Sequence, residues 1–317
     1  TVFLFLPLVM SNPDYLLSMQ GICKNFGAVQ ANNNVDLNLS EGDILGLLGE
    51  NGAGKSTMMN ILFGTYQADE GKIMIQGRQV TIHSTADALG FGIGMVHQHF
   101  HLVHRHTVLE NLLVGEPGRM GRLDFSGARR RLLEIGEQFG LTLNPDARVS
   151  ELTIGEQQRL EIIKALFGDS KILILDEPTA VLTPNESTGL FEALRALAEG
   201  GLGIIFISHK LHEVRNVTNR VLVMRAGSVS ALVEDTKEVT ESDLARLMCG
   251  HELNPPQKNT SKLGDTFLSL SAIKTGGSTH QNLKGINLSV QGGEILGIAG
   301  VSGNGQEELA DVIAGVL

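Results

Sequence analysis

Tryptophan is absent from the 317 residues, and tyrosine and cysteine occur only twice each. Cys23 and Cys249 lie far apart and form no Cys-x-x-Cys pair, which argues against a disulfide framework and favours a reducing compartment. Long apolar runs are also lacking: the strongest, at residues 1–10, is too short to cross a bilayer, and no Lys or Arg precedes it as in a signal peptide. These shortages disfavour disulfide-rich secreted proteins and multi-span membrane proteins.

Positive charge is scarce as well, since 25 Lys and Arg residues stand against 35 Asp and Glu residues, a formal net charge of −10. A protein that coats nucleic acid needs a basic face for the phosphates, so we expect no nucleic-acid partner. Hydrophobic residues make up 42% of the chain, which excludes disorder for most of it. At roughly 150 residues per domain, the length predicts about two domains.

Strand and helix patterns alternate as is typical of an α/β fold. The apolar run at 44–48 enters a glycine-rich loop, which a helical stretch follows. The runs at 171–175, Gly203–Ile207 and 220–224 have the composition of buried strands, the first two of the parallel kind. Between them, about residues 99–168 carry apolar side chains at helical spacing, which predicts a helical subdomain.

Four segments are expected along the chain. Residues 1–13 form an apolar extension outside the fold, with the natural start at Met10, and residues 14–250 form the first domain. Residues 251–266 are polar with two adjacent prolines, which predicts a linker. Residues 267–317 repeat the front of the first domain, because VDLNLSEGDILG falls on INLSVQGGEILG after a shift of 251 positions. We therefore expect the chain to be the front of a longer tandem protein.

The glycine-rich loop GENGAGKS fits the pattern GxxxxGK[ST] between a strand and a helix. Glycines let successive backbone N–H groups turn toward phosphate oxygens, and the start of the helix adds partial positive charge. Lys55 can reach the β- and γ-phosphates, Ser56 can hold Mg²⁺ and Thr57 can reach the α-phosphate. The predicted nucleotide-binding residues are Gly49, Glu50, Asn51, Gly52, Ala53, Gly54, Lys55, Ser56 and Thr57.

Two carboxylates, Asp176 and Glu177, end the predicted strand at 171–175. Asp176 suits a magnesium ligand, and Glu177 is placed to polarise an attacking water. His209 follows the next strand at the same sheet edge, where an imidazole can donate to a γ-phosphate. Each feature alone is more often structural, but a phosphate loop beside them favours catalysis. Transfer of the phosphoryl group to water is expected, because no pocket for a second substrate is evident.

These motifs, together with LTIGEQQRLEI at 152–162, resemble the ATP-binding cassette (ABC) ATPases of the P-loop NTPase class. The family signature is normally close to LSGGQ, and Ile154 and Glu156 here stand where that pattern has Gly and Gln. The resemblance implies that Thr153, Gly155 and Glu156 face the γ-phosphate of a nucleotide bound on the opposite half. A plain capped helix, with Thr153 as N-cap and Glu156 three residues on, explains the same segment and is compatible with that role.

The same resemblance assigns roles to further positions. Phe26 matches the aromatic residue that stacks on adenine, Gln98 the glutamine that senses nucleotide and relays to the membrane partner, and residues 180–183 the D-loop. His209 matches the switch histidine. The catalytic residues implied are Glu177, His209 and Gln98. The implied Mg²⁺ ligands are Ser56, Gln98 and Asp176.

Within the family, the chain resembles the double-cassette subunits of bacterial importers for simple sugars and nucleosides. GMVHQHFHLV, ELTIGEQQRLEIIKALF and GIAGVSGNGQEEL resemble the nucleoside branch. The resemblance implies ATP and Mg²⁺ as cofactors and membrane permease subunits as partners, with an extracytoplasmic substrate-binding lipoprotein engaged indirectly. It also implies a second cassette in the same chain or in a homodimer, and a peripheral position on the cytoplasmic face of the membrane.

Two other function classes compete with this interpretation. A soluble tandem ATPase that acts on ribosomes or nucleic acid shares the ATP motifs, but the linker here is short and not basic. A catalytically dead scaffold is opposed by the complete motif set of the first domain. The soluble tandem ATPase stays open as the alternative, whereas the motif set contradicts the scaffold.

The second glycine loop departs from the first, because Gln306 and Glu307 replace Lys55 and Ser56. Exchanging an ammonium for a neutral side chain and adding a carboxylate opposite phosphate costs several kcal/mol in a desolvated site. We expect a degenerate second site that binds ATP weakly without hydrolysing it. If cassettes pair head to tail, the 317 residues alone are expected to bind ATP but to turn over poorly.

A histidine-rich segment follows Gln98. Zinc or nickel is conceivable there, but a polar, partly exposed loop is favoured because neither Cys nor a carboxylate pattern lies nearby. Two of these histidines also stand where the family resemblance predicts a proline-bearing segment. The histidines are His97, His99, His101, His104 and His106.

Overall fold

The computed structural model describes residues 15–115, 123–250, 263–276, 283–300 and 303–316. The chain divides into two units between Leu253 and Asn254. The expected extension at 1–13 and most of the expected linker, residues 251–262, lie outside the described residues.

The first unit combines strands and helices throughout its described length. Its strands are β1 (Leu17–Phe26), β2 (Val29–Leu39), β3 (Ile44–Gly49), β4 (Glu70–Ile75), β5 (Arg78–Val80), β6 (Ile93–Val96), β7 (Ile172–Asp176), β8 (Gly203–Ile207), β9 (Arg220–Arg225) and β10 (Ser228–Val233). Its α-helices are α1 (Lys55–Leu62), α2 (Thr85–Gly90), α3 (Val108–Leu112), α4 (Phe125–Phe139), α5 (Ile154–Phe167), α6 (Pro184–Glu199), α7 (Leu211–Val217) and α8 (Glu241–Cys249). Short 3-10 turns lie at Val149–Glu151 and Thr236–Glu238.

A six-stranded sheet in the order β10-β9-β3-β8-β7-β6 forms the centre of this unit. Every neighbouring pair in it is parallel except β9 and β10. The predicted strands at 171–175, 203–207 and 220–224 are confirmed as β7, β8 and β9. Because the carboxyl ends of parallel strands share one edge, the segments after β3, β7 and β8 lie at the same edge.

Both faces of the central sheet are covered by apolar side chains. Along β3, Leu45 and Leu47 pack into one cluster and Ile44 and Leu48 into the other, as the two-residue period of a strand requires. The first cluster joins α1 and the antiparallel sheet β2-β1-β4-β5 to the central sheet, and the second joins α5 and α6 to it. The elements that carry the glycine loop are therefore anchored in the core on both sides.

The described residues between 99 and 168 hold α3, α4, α5 and one 3-10 turn, with a single bridge between Thr107 and Arg148. Threonine capping boxes start α3 at Thr107 and α5 at Thr153. The helix α4 ends at Gly140 in the left-handed conformation, with φ of 70°. The segment with apolar residues at helical spacing thus forms helices in the structure, and residues of the local sequence cap them.

The second unit contains the strands β11 (Thr266–Lys274) and β12 (Lys284–Gln291), which pair antiparallel, and the helix α9 (Gln306–Ala314). Residues 294–300, which repeat the sequence around β3, form no strand, and Ile295 is 98% exposed. The strand β3 is hydrogen-bonded by β8 and β9 on its two sides, whereas β11 and β12 are the only strands among the described residues of this unit. A buried-strand sequence without partner strands leaves its backbone groups unpaired, so it does not form a strand.

Candidate functional site

The glycine loop between β3 and α1 is held by hydrogen bonds from β2 and from the turn after β9 to its backbone carbonyl groups. Asn32 of β2 donates from Nδ2 to the carbonyl oxygen of Gly54 at 3.1 Å. Gly227, in the turn after β9, donates its N–H to the carbonyl oxygen of Ala53 at 3.2 Å. A Cβ at Gly54 would lie 2.2 Å from the carbonyl oxygen of Ala31, so only glycine allows the loop to rest on β2.

The helix α1 starts at this loop without a side-chain cap, whereas α3, α5, α6 and α8 start with capping boxes. The first N–H groups of a helix have no partner within the helix, and they carry the positive end of its dipole. At the tip of the loop, Gly52 has a φ of 82° and open space around its Cβ position. An uncapped helix start behind an open, amide-lined loop fits the phosphates of a nucleotide.

Lys55, the first residue of α1, folds its side chain back over the loop. Its Nζ donates to the carbonyl oxygens of Gly49 and Glu50, at 2.7 and 2.9 Å. Burial lowers the pKa of Lys55 because it disfavours the ammonium, and the charges of Glu177 and Asp176 work in the opposite direction. The ammonium thus stands at the loop, within electrostatic reach of the carboxylates after β7.

Asp176 ends β7, and Glu177 follows in the left-handed conformation with φ of 47°, which is uncommon for a non-glycine residue. The N–H of Glu177 donates to the carbonyl oxygen of Ile207 at 2.9 Å, so this turn is tied to the end of β8. Burial raises the pKa of Asp176, and the negative charge of Glu177 raises it further, while Lys55 opposes both. Two crowded carboxylates beside a phosphate loop form a donor set of the kind that Mg²⁺ prefers.

The three predicted catalytic residues meet at the Glu177 carboxylate. His209 Nδ1 lies 2.8 Å from its Oε1, and Gln98 Nε2 donates to its Oε2 at 3.3 Å. His209 comes from the end of β8 and Gln98 from the segment after β6, so three separate strand ends contribute. The His209 side chain is about half exposed, which leaves solvent access to the cluster.

Phe26 ends β1 and is 43% exposed. The ring of Tyr66 meets it edge-on, with centroids 5.2 Å apart, and Lys24 Nζ lies 5.5 Å from the Phe26 centroid. Lys24 is itself held by Asp69 at 2.7 Å. Tyr66 is not among the residues predicted from the sequence, although a rare aromatic residue shortly after the helix that follows the glycine loop was a usable signal. These residues form an exposed aromatic surface suited to stacking against a base.

The signature segment forms the start of α5. Thr153 and Glu156 make a reciprocal capping box, with the Thr153 N–H donating to Glu156 Oε2 at 2.8 Å. Gly155 is buried against α6, where an added Cβ would lie 2.5 Å from Glu186 Oε1. In the described part of the chain, no hydrogen bond links this cap to the glycine loop of the same unit.

The histidine-rich segment contributes ring contacts. The rings of His97 and His101 lie 4.8 Å apart, and His97 also meets Phe63 at 5.8 Å. Burial and the neighbouring His101 lower the pKa of His97. Nowhere in the described ranges do three or more His, Cys, Asp or Glu side chains stand together in a way that could hold a metal ion.

Comparison with known proteins agrees with this geometry. Residues 32–180 match the protein family described as ABC transporter. The chain is 43% identical to a glucose import ATP-binding protein of Haloferax volcanii, covering 95% of this chain and 60% of that protein. It is 42% identical to a nucleoside import ATP-binding protein of Lactococcus lactis subsp. cremoris, again covering 95% and 60%. The chain thus spans about three fifths of the length of these relatives.

Solved structures show the same fold. The ADP conformation of an ATP-binding cassette from an ABC transporter superposes with a TM-score of 0.67 at 26% identity, over 75% of this chain and 99% of that one. A dimeric bacterial ABC transporter cassette superposes with a TM-score of 0.60 at 26% identity, over 69% and 98%. Together with the match over residues 32–180, these superpositions show that the first unit of this chain has the fold of an ATP-binding cassette.

Proposed function

We propose that this chain is the ATP-binding and ATP-hydrolysing part of an ABC importer, in which ATP hydrolysis drives uptake through a membrane permease. One observation carries the proposal: the uncapped start of α1 and the Lys55 ammonium share a sheet edge with Asp176 and Glu177. Phosphate-binding groups thus face the groups that activate water and hold a metal. The relatives' names point to glucose and to nucleosides, so we propose simple sugars or nucleosides as the cargo.

The triphosphate is proposed to lie along residues 49–57, with Phe26 stacking on the adenine. Lys55 offers its ammonium to the β- and γ-phosphates, and the amides of the loop bind the remaining oxygens. Ser56, Gln98 and Asp176 are the residues that would hold Mg²⁺. When bound, the ion neutralises phosphate charge and orients the terminal group.

Glu177 is proposed to accept the proton of the attacking water on its carboxylate. The contacts with His209 and Gln98 hold that carboxylate in one orientation, which lowers the entropic cost of aligning it with the water. A donation from His209 Nε2 to the γ-phosphate is also proposed, which requires protons on both ring nitrogens while Nδ1 stays bonded to Glu177. Activation of the water is thus proposed to rest on these three side chains.

A composite site is proposed, in which Thr153, Gly155 and Glu156 act on the nucleotide of an opposite cassette, supplied by the same longer chain or by a homodimer. The dimeric solved cassette supports such pairing. In the second unit, an added Cβ at Gly300 would lie 2.2 Å from Gln306 Nε2, so the uncharged amide of Gln306 lies beside Gly300, whereas the Lys55 ammonium lies beside Gly49 in the first unit. We therefore propose weak ATP binding without hydrolysis at the second loop and slow turnover by the chain alone.

The proposed membrane partner is a pair of permease subunits on the cytoplasmic face, with a substrate-binding lipoprotein engaged indirectly. None of the helices in the described ranges has both the length and the apolar character to cross a membrane. Recovery of permease subunits with the tagged protein supports the importer, whereas recovery of ribosomes would support a soluble tandem ATPase. The acidic net charge supports the importer over a nucleic-acid role.

Lys55→Ala tests the nucleotide site directly. A hydrogen bond between a charged donor and phosphate contributes roughly 1.5–3 kcal/mol, so the affinity for ATP should fall about 10- to 150-fold. Lys72→Ala, on the exposed surface of β4, is the matched control and should leave the affinity unchanged. Titration with a fluorescent ATP analogue measures both, and an undiminished affinity of Lys55→Ala would remove the basis of the proposal.

A further inference from the structure

A buried carboxylate lies directly behind the proposed catalytic cluster. Glu213 belongs to α7 and is only 3% exposed. Burying an ionised carboxylate is costly unless hydrogen bonds and an opposite charge compensate for the lost hydration. Hydrogen-bond donors and a positive charge are therefore expected around the Glu213 carboxylate.

The partners of Glu213 come from two loop segments. Thr179 Oγ1 and Ser208 Oγ both donate to Glu213 Oε2, the latter at 3.2 Å. Lys210 Nζ forms an ion pair with Oε1 at 3.1 Å and donates to the carbonyl oxygen of Thr179 at 2.9 Å. The N–H of Lys210 donates to Ser208 Oγ at 3.1 Å, which closes the network.

These partners adjoin the proposed catalytic residues. Thr179 lies two residues after Glu177, and Ser208 immediately precedes His209. One carboxylate thus links the turn after β7, which carries Glu177, to the turn after β8, which carries His209. The Nδ1–Oε1 distance of 2.8 Å between His209 and Glu177 depends on how these two turns are placed relative to each other.

Docking of α7 onto the domain does not require this carboxylate. Val214 and Val217 of the same helix are buried in the apolar cluster that α6 also joins. The carboxylate of Glu213 contacts side chains of the two turns, Thr179, Ser208 and Lys210. Its role is therefore local to the segments that position Glu177 and His209.

We propose that Glu213 is a positioning residue that sets the hydrogen bond between His209 and Glu177 by fixing the turns after β7 and β8 relative to each other. Its importance for catalysis rests on the proposed ATPase function, whereas the hydrogen bond it sets exists without nucleotide. Removal of the carboxylate leaves two buried hydroxyls and a half-buried ammonium to find other partners. The two turns then lose these links and keep the backbone hydrogen bond from Glu177 to Ile207, so their side chains can shift relative to each other.

The tautomer of the His209 ring measures this hydrogen bond directly. A neutral imidazole that donates from Nδ1 to a carboxylate carries its proton on Nδ1, and long-range ¹H–¹⁵N spectra at pH 8 distinguish this form from the Nε2–H form. His209→Asn identifies the signal by its loss. We expect Glu213→Ala to lower the Nδ1–H to Nε2–H ratio at least threefold, and Glu213→Gln, which keeps an acceptor for both hydroxyls, to stay within twofold of the unsubstituted protein.

Glu192→Ala, which removes an exposed glutamate from α6, is the matched control and should leave the ratio unchanged. Should Glu213→Ala fail to fold, Thr179→Val and Ser208→Ala each remove one hydroxyl contact and should lower the ratio about twofold. An unchanged ratio in folded Glu213→Ala, or in both of the milder variants, overturns the proposal.

A parallel titration with ATP separates this proposal from the proposed function. Glu213→Ala should bind ATP within twofold of the unsubstituted protein, because the glycine loop and Lys55 are not among its partners. Absence of ATP binding in the unsubstituted chain would refute the ATPase proposal. The tautomer measurement would still test the positioning role of Glu213, because it needs no nucleotide. A loss of ATP binding confined to Glu213→Ala would show a role in general folding and would overturn the positioning role.

Discussion

Asp176→Asn is expected to stabilise the ligand-free protein and, at the same time, to weaken ATP binding in the presence of Mg²⁺. Burial and the neighbouring Glu177 raise the pKa of Asp176, and the attraction of Lys55 only partly opposes them. The folded protein therefore holds this proton more tightly than the unfolded chain does. The resulting stabilisation is complete below the ordinary carboxyl pKa and is lost as the pH rises through the raised pKa. At pH 7 the ionised carboxylate is a cost that asparagine, with almost the same shape, removes.

The size of this cost follows from the environment of the side chain. A shift of one pKa unit corresponds to 1.36 kcal/mol, and Asp176 is only partly buried, so solvent screening reduces the effect. Substitution also removes the attraction of Lys55. A gain of about 1 kcal/mol remains, which corresponds to a rise in Tm of roughly 2–4 °C for a domain of this size. The gain should shrink as the pH is lowered through the raised pKa of Asp176, because the carboxyl group of the unsubstituted protein then takes up its proton.

Thermal unfolding at pH 7 and at pH 4, without nucleotide, measures the stability. ATP titrations with Mg²⁺ and with a chelator measure the function. With Mg²⁺, the affinity of Asp176→Asn for ATP should fall about 10- to 100-fold, because one charged ligand of the ion is lost. With the chelator, the affinity should fall by less than about threefold. Asp265→Asn, on the exposed start of the second unit, is the control for a charge change alone. A lower Tm at pH 7 together with an unchanged Mg²⁺ dependence would refute the reasoning.

Two further predictions concern the loop and the base. Gly54→Ala should lower the free energy of unfolding by roughly 2–4 kcal/mol and the ATP affinity at least tenfold, because its Cβ would lie 2.2 Å from a backbone oxygen. A Cβ at Gly52 meets nothing, so Gly52→Ala should lower the free energy of unfolding only by the backbone strain of about 1–2 kcal/mol. Denaturant unfolding compares the two, and equal losses would contradict the role of that contact. Phe26→Ala should weaken ATP binding about fivefold or more, because stacking on a base contributes roughly 1–3 kcal/mol. Tyr66→Ala, which removes only the edge-on contact with Phe26, should weaken it about twofold. Because stacking is tolerant of the base, titrations with ATP and GTP should show similar losses, and a loss confined to ATP would argue against it.

The order of elements and most site residues were predictable because their signals are local. Apolar runs of four to six residues became β3, β7 and β8, and polar residues directly after such runs had to lie at one edge of a parallel sheet. The glycine loop was recognisable for the same reason, since its backbone conformation depends on the glycines themselves. The repeat was also visible, but residues 294–300 do not form the strand that the repeat suggested.

These local patterns could not predict contacts between segments that lie far apart in the sequence. Glu213 is separated from Thr179 by 34 positions and Asn32 from Gly54 by 22, and no spacing rule connects either pair. The position of Asp176 and Glu177 beside Lys55, which perturbs the pKa of Asp176 and of Lys55, likewise depends on how the ends of β3 and β7 come together. Residues close along the chain thus specify strands, helices and the phosphate loop, because backbone conformation depends on neighbouring side chains. Charge balance and the orientation of Glu177 and His209 depend on packing, because electrostatic and hydrogen-bond energies depend on distances in space.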